Sequence, residues 1–463
     1  MTSGNHSKLT FWGGTGLVTG ANFLLEIENT NAKPLRILVD CGFVQGGSDS
    51  HELNAKNFSY DPRSIDILFI THAHLDHVGK IPKLVKDGFK GVIYSTSMTR
   101  ELAQVILEDA AKLLMREAGN NPKNVIYNEE DILSAMRLWK DMPYHTKTEI
   151  GSGVSVYLKD AGHILGSTMY EFSRNGRNIV FTGDLGNSPD LLLPDTEKIT
   201  DANYLVMESV YGDRNHESKE DRRAKFIRIV KENIARKGVL VIPAFSLERT
   251  QIVLYELDEM IERKDIPAVP VYLDSPMAIR VTEIYRRAMP EGFNEGVKKD
   301  FASGDDIFKF PDLRFTLTTD ESKAILHAPN PKIIIAGSGM SNGGRVIHHE
   351  KNYLPDPNNT LLMMGYEAVG TLGRELMDGA KNVNIMGENV EVRARVENIQ
   401  GYSGHKDSDH LIAFVEDTHE TVEKVFCVMG EPKSSLFLVQ RLRDYVGVNA
   451  MMPKLGDSFD LNF

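Results

Sequence analysis

The chain is poor in cysteine and in uninterrupted hydrophobic sequence. Its 463 residues include only two cysteines, Cys41 and Cys427, too few for a disulfide framework or for a zinc site built from several thiolates. No run approaches the roughly 18 apolar residues that a membrane span requires, and the opening MTSGNHSKLTFW lacks the basic start and apolar stretch of a signal peptide. We therefore expect a cytoplasmic protein with no membrane partner.

The chain also has fewer positively charged than negatively charged residues. Lys and Arg total 53 against 65 Asp and Glu, which gives a formal net charge of -12. Because phosphates are repelled by such a surface, a polyanion is expected to bind only where metal ions or a local basic groove hold it. With 41% hydrophobic and 25% charged residues the chain is otherwise typical of a folded protein, and its length predicts two or three domains.

The predicted strands and helices are arranged differently in three successive parts of the chain. Residues 1–212 contain short runs rich in branched and aromatic side chains, among them the continuous apolar run IDILFI at 65–70, and these indicate a meander of strands. Residues 213–399 alternate one-sided helices with buried strands, which is typical of βαβ architecture. Residues 400–463 predict a helix near 408–417, the strand KVFCVMG and a closing helix. We therefore treat the middle part as a domain inserted between the two halves of another.

The most informative feature is a set of metal-ligand side chains at the ends of predicted strands. The set comprises His72, His74, Asp76, His77, His163 and Asp184. Because alternate residues of an extended chain point to one side, His72 and His74 can address one ion, while the following turn aims Asp76 and His77 toward a second. Asp184 ends another strand with a carboxylate that can bridge two ions. The pattern predicts a metal site.

These segments resemble the metallo-β-lactamase fold, through THAHLDH at 71–77, GH at 162–163 and GD at 183–184. The resemblance implies an αββα sandwich with a dinuclear centre, usually of zinc. It implies that His72, His74, His163 and Asp184 hold one ion, and that Asp76, His77 and the shared Asp184 hold the other. Asp40 matches a carboxylate that steadies the ligand loop in this family, although an Asp before Gly42 is equally typical of a plain turn.

The rest of the chain resembles the β-CASP group of nucleases, through MESVYGDR at 207–214, GSGM at 337–340 and GYSGHKD at 401–407. The resemblance implies an α/β protein in which a βαβ-type β-CASP domain is inserted into the αββα sandwich. It is greatest to RNA-degrading members related to the nuclease subunit of the pre-mRNA 3′-end cleavage complex. It therefore implies a metal-dependent ribonuclease that cleaves single-stranded RNA, in RNA processing or decay, in a slot between the two domains.

The same resemblance assigns catalytic roles. His405 is expected to act as general acid, Glu208 to hold it protonated and oriented, and Asp76 to take part in catalysis. Many relatives dimerise, so a homodimer is an expectation as well. Endonuclease and exonuclease modes are not separated by the sequence.

The run KIIIAGSGMSNGGR places glycines directly after a buried strand, a layout that can aim backbone N–H groups at a phosphate. Ser338, Gly339 and Arg345 are the predicted substrate-binding residues. Any tight strand-to-helix turn also favours glycine, so a purely structural loop remains an equal alternative.

One position departs from the family pattern. The chain has Met429 in the segment VMGE, where RNA-type members carry a histidine that completes the second metal site. Because a thioether is a soft, weak ligand for zinc, we expect the second ion to be held less tightly, and manganese is an alternative to zinc. The departure leaves two alternatives open: a DNA nuclease on the same scaffold, or a catalytically weakened RNA-binding subunit.

Overall fold

The computed structural model describes residues 6–29, 33–46, 49–119, 121, 125–288, 290–304, 306–365, 367 and 370–463. The chain divides into two compact units. The first unit comprises Met1–Asn215 together with His405–Phe463, and the second comprises His216–Gly404. The second unit is therefore inserted into the first.

The first unit is built on two seven-stranded sheets. In spatial order, the first sheet contains β22 (Ser458–Asn462), β1 (His6–Phe11), β2 (Phe23–Ile27), β3 (Leu35–Val39), β4 (Ile67–Phe69), β5 (Val92–Ser95) and β6 (Trp139–Asp141). The second sheet contains β21 (Ala450–Met451), β20 (Lys424–Val428), β11 (Tyr204–Glu208), β10 (Arg177–Phe181), β9 (Thr168–Arg174), β8 (Val154–Asp160) and β7 (Thr148–Gly151).

Apolar side chains from both sheets form one core between them. Phe69 of the first sheet packs edge-on against Phe172 of the second at 5.1 Å between ring centroids, and Phe11 lies 5.1 Å from Phe426. All four rings are fully buried. Burial of this apolar surface is the main force that holds the two sheets together.

Helices cover the outer faces of both sheets. The helices of this unit are α1 (Ser50–Ala55), α2 (Leu75–Val78), α3 (Ile81–Lys86), α4 (Ser97–Glu117), α5 (Glu129–Leu138), α13 (Ser408–Glu416) and α14 (Pro432–Arg441). Leu411 of α13 and Leu438 of α14 pack against Leu205 and Val425 of the second sheet, while α4 contacts β6 and α5 contacts β5. The predicted αββα sandwich is confirmed.

The second unit is a parallel α/β layer. Its six-stranded sheet has the order β14 (Leu313–Phe315), β13 (Val271–Asp274), β15 (Lys332–Ala336), β12 (Val239–Pro243), β16 (Thr360–Met364) and β19 (Arg395–Ile399). Neighbouring strands are all parallel. Parallel strands need crossover connections, usually helical. These are supplied by α7 (Arg249–Glu262), α8 (Pro276–Arg287), α9 (Glu295–Ala302), α10 (Thr319–Ala324), α11 (Val346–Tyr353) and α12 (Leu372–Met377), while α6 (Lys219–Ala235) precedes the first strand and packs against β12 and β19. A hairpin of β17 (Asn382–Ile385) and β18 (Glu388–Glu391) completes this βαβ-type insertion.

The C-terminal part differs from the sequence expectation. After α14 the chain does not close on a helix, because β21 and β22 follow. Strand β22 pairs antiparallel with β1, with Ser7 opposite Leu461. The segment SFDLN is short and half polar, and its partner lies at the other end of the chain, so local patterning gave no sign of it.

Two further expectations concern absent features. No helix among the described residues is both long and apolar enough to cross a membrane. Cys41 and Cys427 are both buried and carry free thiols, in agreement with the absence of a disulfide framework.

Candidate metal centre

The first ligand candidates follow β4, the strand predicted from IDILFI. The chain stays extended through His72 and His74 before α2 begins at Leu75. This brings His72 Nε2 to 3.1 Å from His74 Nδ1. Both pKa values are lowered, chiefly by burial and then by neighbouring imidazoles, so both rings are neutral near pH 7. A neutral imidazole is the form that binds metal.

Two other strand ends bring a third histidine and a carboxylate to the same place. His163 lies after β8, and its Nε2 is 3.2 Å from His74 Nδ1. Asp184 lies after β10, with Oδ2 at 3.4 Å from His72 Nε2 and 3.6 Å from His163 Nε2. One atom from each of these four residues lies within 4.8 Å of the other three. Three nitrogens and one oxygen are a donor set that suits zinc.

The second oxygen of Asp184 faces the remaining ligand candidates. Asp184 Oδ1 is 3.4 Å from His77 Nε2, and Asp76 Oδ2 is 3.7 Å from the same nitrogen. Burial would raise the pKa of Asp184, but His77 and His72 hold it well below its usual range. The structure therefore brings all six predicted ligands together, with Asp184 between the two groups.

Asp40 and Thr71 orient the rings of His72 and His77 toward this cluster. Asp40 Oδ2 lies 2.8 Å from His77 Nδ1 and accepts a hydrogen bond from Thr71 Oγ1 at 2.8 Å. Thr71 Oγ1 is in turn 3.1 Å from His72 Nδ1. Because these contacts engage Nδ1 of both rings, Nε2 of His72 and of His77 faces the cluster, where a neutral ring can offer its lone pair to a metal ion. Asp40 is thus the buried partner of the candidate ligand His77 rather than only a turn residue.

The arrangement fits a divalent cation. His77 Nε2 and Asp184 Oδ1 are both buried and have no hydrogen-bond partner in the described structure, although they face each other. Unpaired buried polar atoms are destabilising. Lone pairs from imidazoles and a carboxylate that converge on one small space would be satisfied by a metal ion, and their chemistry excludes a purely apolar or anionic occupant.

Gly42 lets the ligand turn come close to the neighbouring strand end. A Cβ atom at this position would lie 1.5 Å from the carbonyl oxygen of Asp76. Cys41 N donates to the carbonyl oxygen of His77 at 2.8 Å, and Ala21 N donates to that of Asp76 at 2.9 Å. The backbone of Asp76 and His77 is thereby held by two other chain segments.

A second pair of polar residues lies beside the ligands. Glu208 ends β11 and is completely buried, and both of its oxygens lie 3.1 Å from His405 Nδ1. Leu185 N donates to Glu208 Oε1 at 2.6 Å and so fixes the carboxylate. Burial lowers the pKa of His405, but the Glu208 carboxylate more than offsets this and raises it to about 9. The ring is therefore charged near pH 7, and its centroid is 4.8 Å from that of His163.

Met429 lies in the hydrophobic core between the sheets and is 2% exposed. Its backbone N–H donates to the carbonyl oxygen of Gly14 at 2.7 Å, and its sulfur approaches Gly14 so closely that a Cβ there would be 2.7 Å away. The residue has φ 50, in the left-handed region. The side chain thus contributes to packing against the 13–20 loop.

The predicted substrate-binding residues belong to the second unit and line one turn. Ser338 N donates to the carbonyl oxygen of Gly343 at 3.3 Å, and Gly339 approaches the ring of Phe245, where a Cβ would lie 2.6 Å away. Arg345 Nη1 donates to Asp274 Oδ1 at 2.7 Å, and its Nη2 donates to a carbonyl oxygen at 2.8 Å. These contacts stabilise the turn at residues 338–345. Phosphate binding by this turn stays a prediction.

Sequence reasoning missed Thr71, whose hydroxyl contacts the candidate ligand His72 and its neighbour Asp40, and Leu185, whose N–H donates to Glu208. Thr71 could have been recognised in the sequence, because a residue with a hydroxyl group stands between a fully buried strand and the first histidine. Leu185 acts through its backbone N–H, which no residue pattern reveals.

Comparison with known families agrees with this geometry. Three family models match the chain: the metallo-beta-lactamase superfamily over residues 35–236, the Beta-Casp domain over 250–376, and the Zn-dependent metallo-hydrolase RNA specificity domain over 389–453. Together they account for most of the sequence.

Individual relatives are similar over most of the chain. Ribonuclease TTHA0252 from Thermus thermophilus is 36% identical over 93% of this chain and 95% of its own length. Transcription termination factor FttA from Methanosarcina mazei is 33% identical over 93% of this chain and 68% of its own length, and the Methanocaldococcus jannaschii factor is 30% identical over 94% and 69%.

Among solved structures, a protein of unknown function from Enterococcus faecalis has a TM-score of 0.56 at 14% identity, covering 98% of this chain and 100% of its own. That likeness concerns the fold alone. The family models and the relatives at 30% identity or more go further, and the chain belongs to the metallo-beta-lactamase superfamily, in the group that carries the Beta-Casp domain.

Proposed function

We propose that this protein is a metal-dependent ribonuclease that hydrolyses phosphodiester bonds of single-stranded RNA. The observation that carries the proposal is the buried convergence of three histidines and Asp184 beside the Glu208–His405 pair. The match to an RNA specificity domain and the relative named ribonuclease support RNA as the substrate.

The metal ligands would be His72, His74, His163 and Asp184, with Asp76 and His77 completing a second position. A divalent ion bound there would lower the pKa of a nearby water and offset the negative charge of the phosphodiester. We propose zinc, since imidazole nitrogens predominate among the donors; manganese remains the alternative.

The protein's own residues supply orientation and a proton. The attacking water passes its proton to the solvent as its oxygen bonds to phosphorus, while the P–O bond to the leaving oxygen breaks and its electron pair stays on that oxygen. His405 donates a proton to this oxygen, and Glu208 fixes the ring through Nδ1 so that Nε2 delivers the proton. General acid catalysis of this kind contributes about 10² to 10⁴ in rate. We assign Asp76 to orienting the attacking water.

The identity of residue 429 affects how many metal ions we expect the protein to bind. Since Met429 contributes a thioether that packs in the core, we propose that the second position is held only by Asp76, His77 and the shared Asp184 and binds its ion less tightly. The cytoplasmic location and the homodimer rest on the sequence and the resemblance alone and stay predictions.

Cleavage of labelled RNA and DNA of identical sequence, with zinc or manganese added, tests this assignment. We expect the purified protein to cleave RNA and to spare DNA. Cleavage of DNA only would instead identify a DNA nuclease, and equal cleavage of both would overturn the assignment of RNA as the specific substrate. Tight RNA binding without cleavage would identify a weakened RNA-binding subunit.

His405→Ala tests the proton donor separately. We expect it to lower the cleavage rate about 10²-fold or more while metal content stays the same, because a proton donor and not a ligand is removed. Loss of metal would show that His405 is a ligand.

A further inference from the structure

Lys406 follows the proposed acid and is buried in the first unit, with 6% of its surface exposed. Its backbone N–H donates to the carbonyl oxygen of Leu185 at 2.9 Å. Its Nζ donates to the carbonyl oxygen of Gly186 at 3.0 Å and to Ser188 Oγ at 3.3 Å. Main chain and side chain therefore both hold the turn that follows Asp184.

This turn connects the segments that carry the site. Leu185 N donates to Glu208 Oε1 at 2.6 Å, and Gly186 N donates to the carbonyl oxygen of Ala161, two residues before His163, at 2.9 Å. Gly186 also forms an isolated antiparallel bridge with His405. Movement of His405 relative to Asp184 would have to break this bridge and the contacts of Lys406.

A buried ammonium is unfavourable unless hydrogen bonds and nearby opposite charge compensate for it. Burial lowers the pKa of Lys406 to about 8, and the carboxylates of Glu208, Asp195 and Asp407 act in the opposite direction. A smaller or apolar side chain would avoid this desolvation. The presence of lysine at this position therefore indicates that its long side chain and the N–H donors of its ammonium group are needed for the contacts with Gly186 and Ser188.

We propose that Lys406 is a positioning residue for proton delivery: it fixes His405 against the Asp184–Gly186 turn, and with it the alignment of the imidazole with the leaving oxygen. This inference rests on the proposed ribonuclease function. It assigns Lys406 no contact with substrate or metal.

The test compares two phosphodiesters that differ in their need for an acid. In RNA the leaving ribose oxygen needs a proton, whereas in bis(p-nitrophenyl) phosphate the nitrophenolate leaves without one. We expect Lys406→Met to lower kcat for RNA about 10- to 100-fold, the range typical of residues that support a site, with KM for RNA and metal content unchanged. The rate on the nitrophenyl ester should change less than twofold.

The double variant with His405→Ala checks the route of the effect. Because Lys406 acts through His405, Lys406→Met should cause no further loss of RNA cleavage in that background. Lys332→Met is the matched control, since Lys332 is also buried, in the second unit, and donates to two carbonyl oxygens at 2.7 and 2.8 Å. It should leave the ratio of the two rates unchanged.

Equal losses on both substrates, a loss of metal, or an additive double variant would overturn the inference. If Lys406→Met does not fold, Lys406→Arg is used, and its loss should be smaller but again confined to RNA; a loss on both substrates overturns the inference there too. A wild-type protein that hydrolyses neither substrate would overturn the proposed function itself.

Discussion

At the scale of single residues, we expect Asp40 to influence metal binding without being a ligand. Asp40 Oδ1 accepts from Thr71 N at 2.8 Å, while Oδ2 faces His77 Nδ1. We expect Asp40→Asn to lower metal affinity about 10- to 100-fold, because an amide has one acceptor oxygen for these two positions and the His77 ring or the Thr71 segment loses its hydrogen bond. Competition with a chelator of known affinity measures the change. Asp66→Asn is the control, since Asp66 also accepts from a backbone N–H, that of Arg36 at 2.9 Å, but touches no ligand. Equal affinities in both variants would contradict the assignment.

Met429 allows the second ion to be tested. Because histidine tolerates a φ of 50 better than most residues, Met429→His should meet no backbone obstacle. We expect bound metal to rise toward two per chain and RNA cleavage to increase when free metal is scarce, with the gain shrinking as metal is added. Met386→His serves as control, with φ 54 on the exposed surface of the second unit. Two ions already bound in the unmodified protein would contradict this account.

The residue types of the centre could be predicted, but their hydrogen bonds could not. The spacing of His72 and His74 in an extended segment was sufficient to suggest a shared ion. For Asp40 the sequence left a turn and a supporting carboxylate equally open, because the choice depends on a contact with His77, 37 positions away. Lys406 gave no signal, since a lysine in a loop is usually solvated.

At the scale of elements, the turn after β10 is built on close backbone contact. A Cβ atom at Gly186 would lie 1.7 Å from the carbonyl oxygen of Gly162, next to His163. We therefore expect Gly186→Ala to displace the His163 loop, reduce bound metal and lower the free energy of unfolding by about 1–3 kcal/mol. Gly176→Ala is the control: its φ is 77, but a Cβ there meets nothing within 4 Å. Gly176→Ala should therefore strain the backbone without displacing a neighbouring segment. An equal loss of bound metal in both variants would contradict the role given to the contact at Gly186.

Helix α11 carries a buried acid that makes the second unit sensitive to pH. Glu350 accepts from the hydroxyl of Ser341, while its Oε2 has no partner in the described structure. Burial raises its pKa from 4.5 to about 8, partly opposed by Ser341. Since the folded state holds this proton more tightly than the unfolded chain, its contribution to stability is fully present below about pH 4.5 and is lost as pH rises through 8.

Glu350→Gln should remove this dependence. We expect it to raise the free energy of unfolding at pH 8 by on the order of a few kcal/mol and to change it little at pH 4.5, because the amide mimics the protonated acid. Urea unfolding at the two pH values measures the difference. Glu388→Gln, at an exposed position of the second unit, is the control. A gain of the same size at both pH values would mean that charge is not the cause.

At the scale of the whole molecule, local patterning predicted the strand meander of the first unit and the βαβ alternation of the second, from short apolar strands and one-sided helices. The αββα layering was implied by the family resemblance, and the pairing that completes the first sheet was not predicted. The pairing of β22 with β1 joins Ser7 to Leu461. It could not be predicted because neither segment shows its partner locally, and the energy of pairing depends on contacts far apart in sequence.

The chain has a formal net charge of -12. Because a surface of that sign repels RNA, we expect catalysis to require metal at the histidine cluster. The most direct measurement is RNA cleavage by metal-stripped protein during titration with zinc, beside His74→Ala treated identically. We predict that wild-type activity returns as metal binds and that His74→Ala binds less metal and stays inactive. RNA cleavage by the stripped protein, or unchanged metal binding and turnover in His74→Ala, would contradict the account.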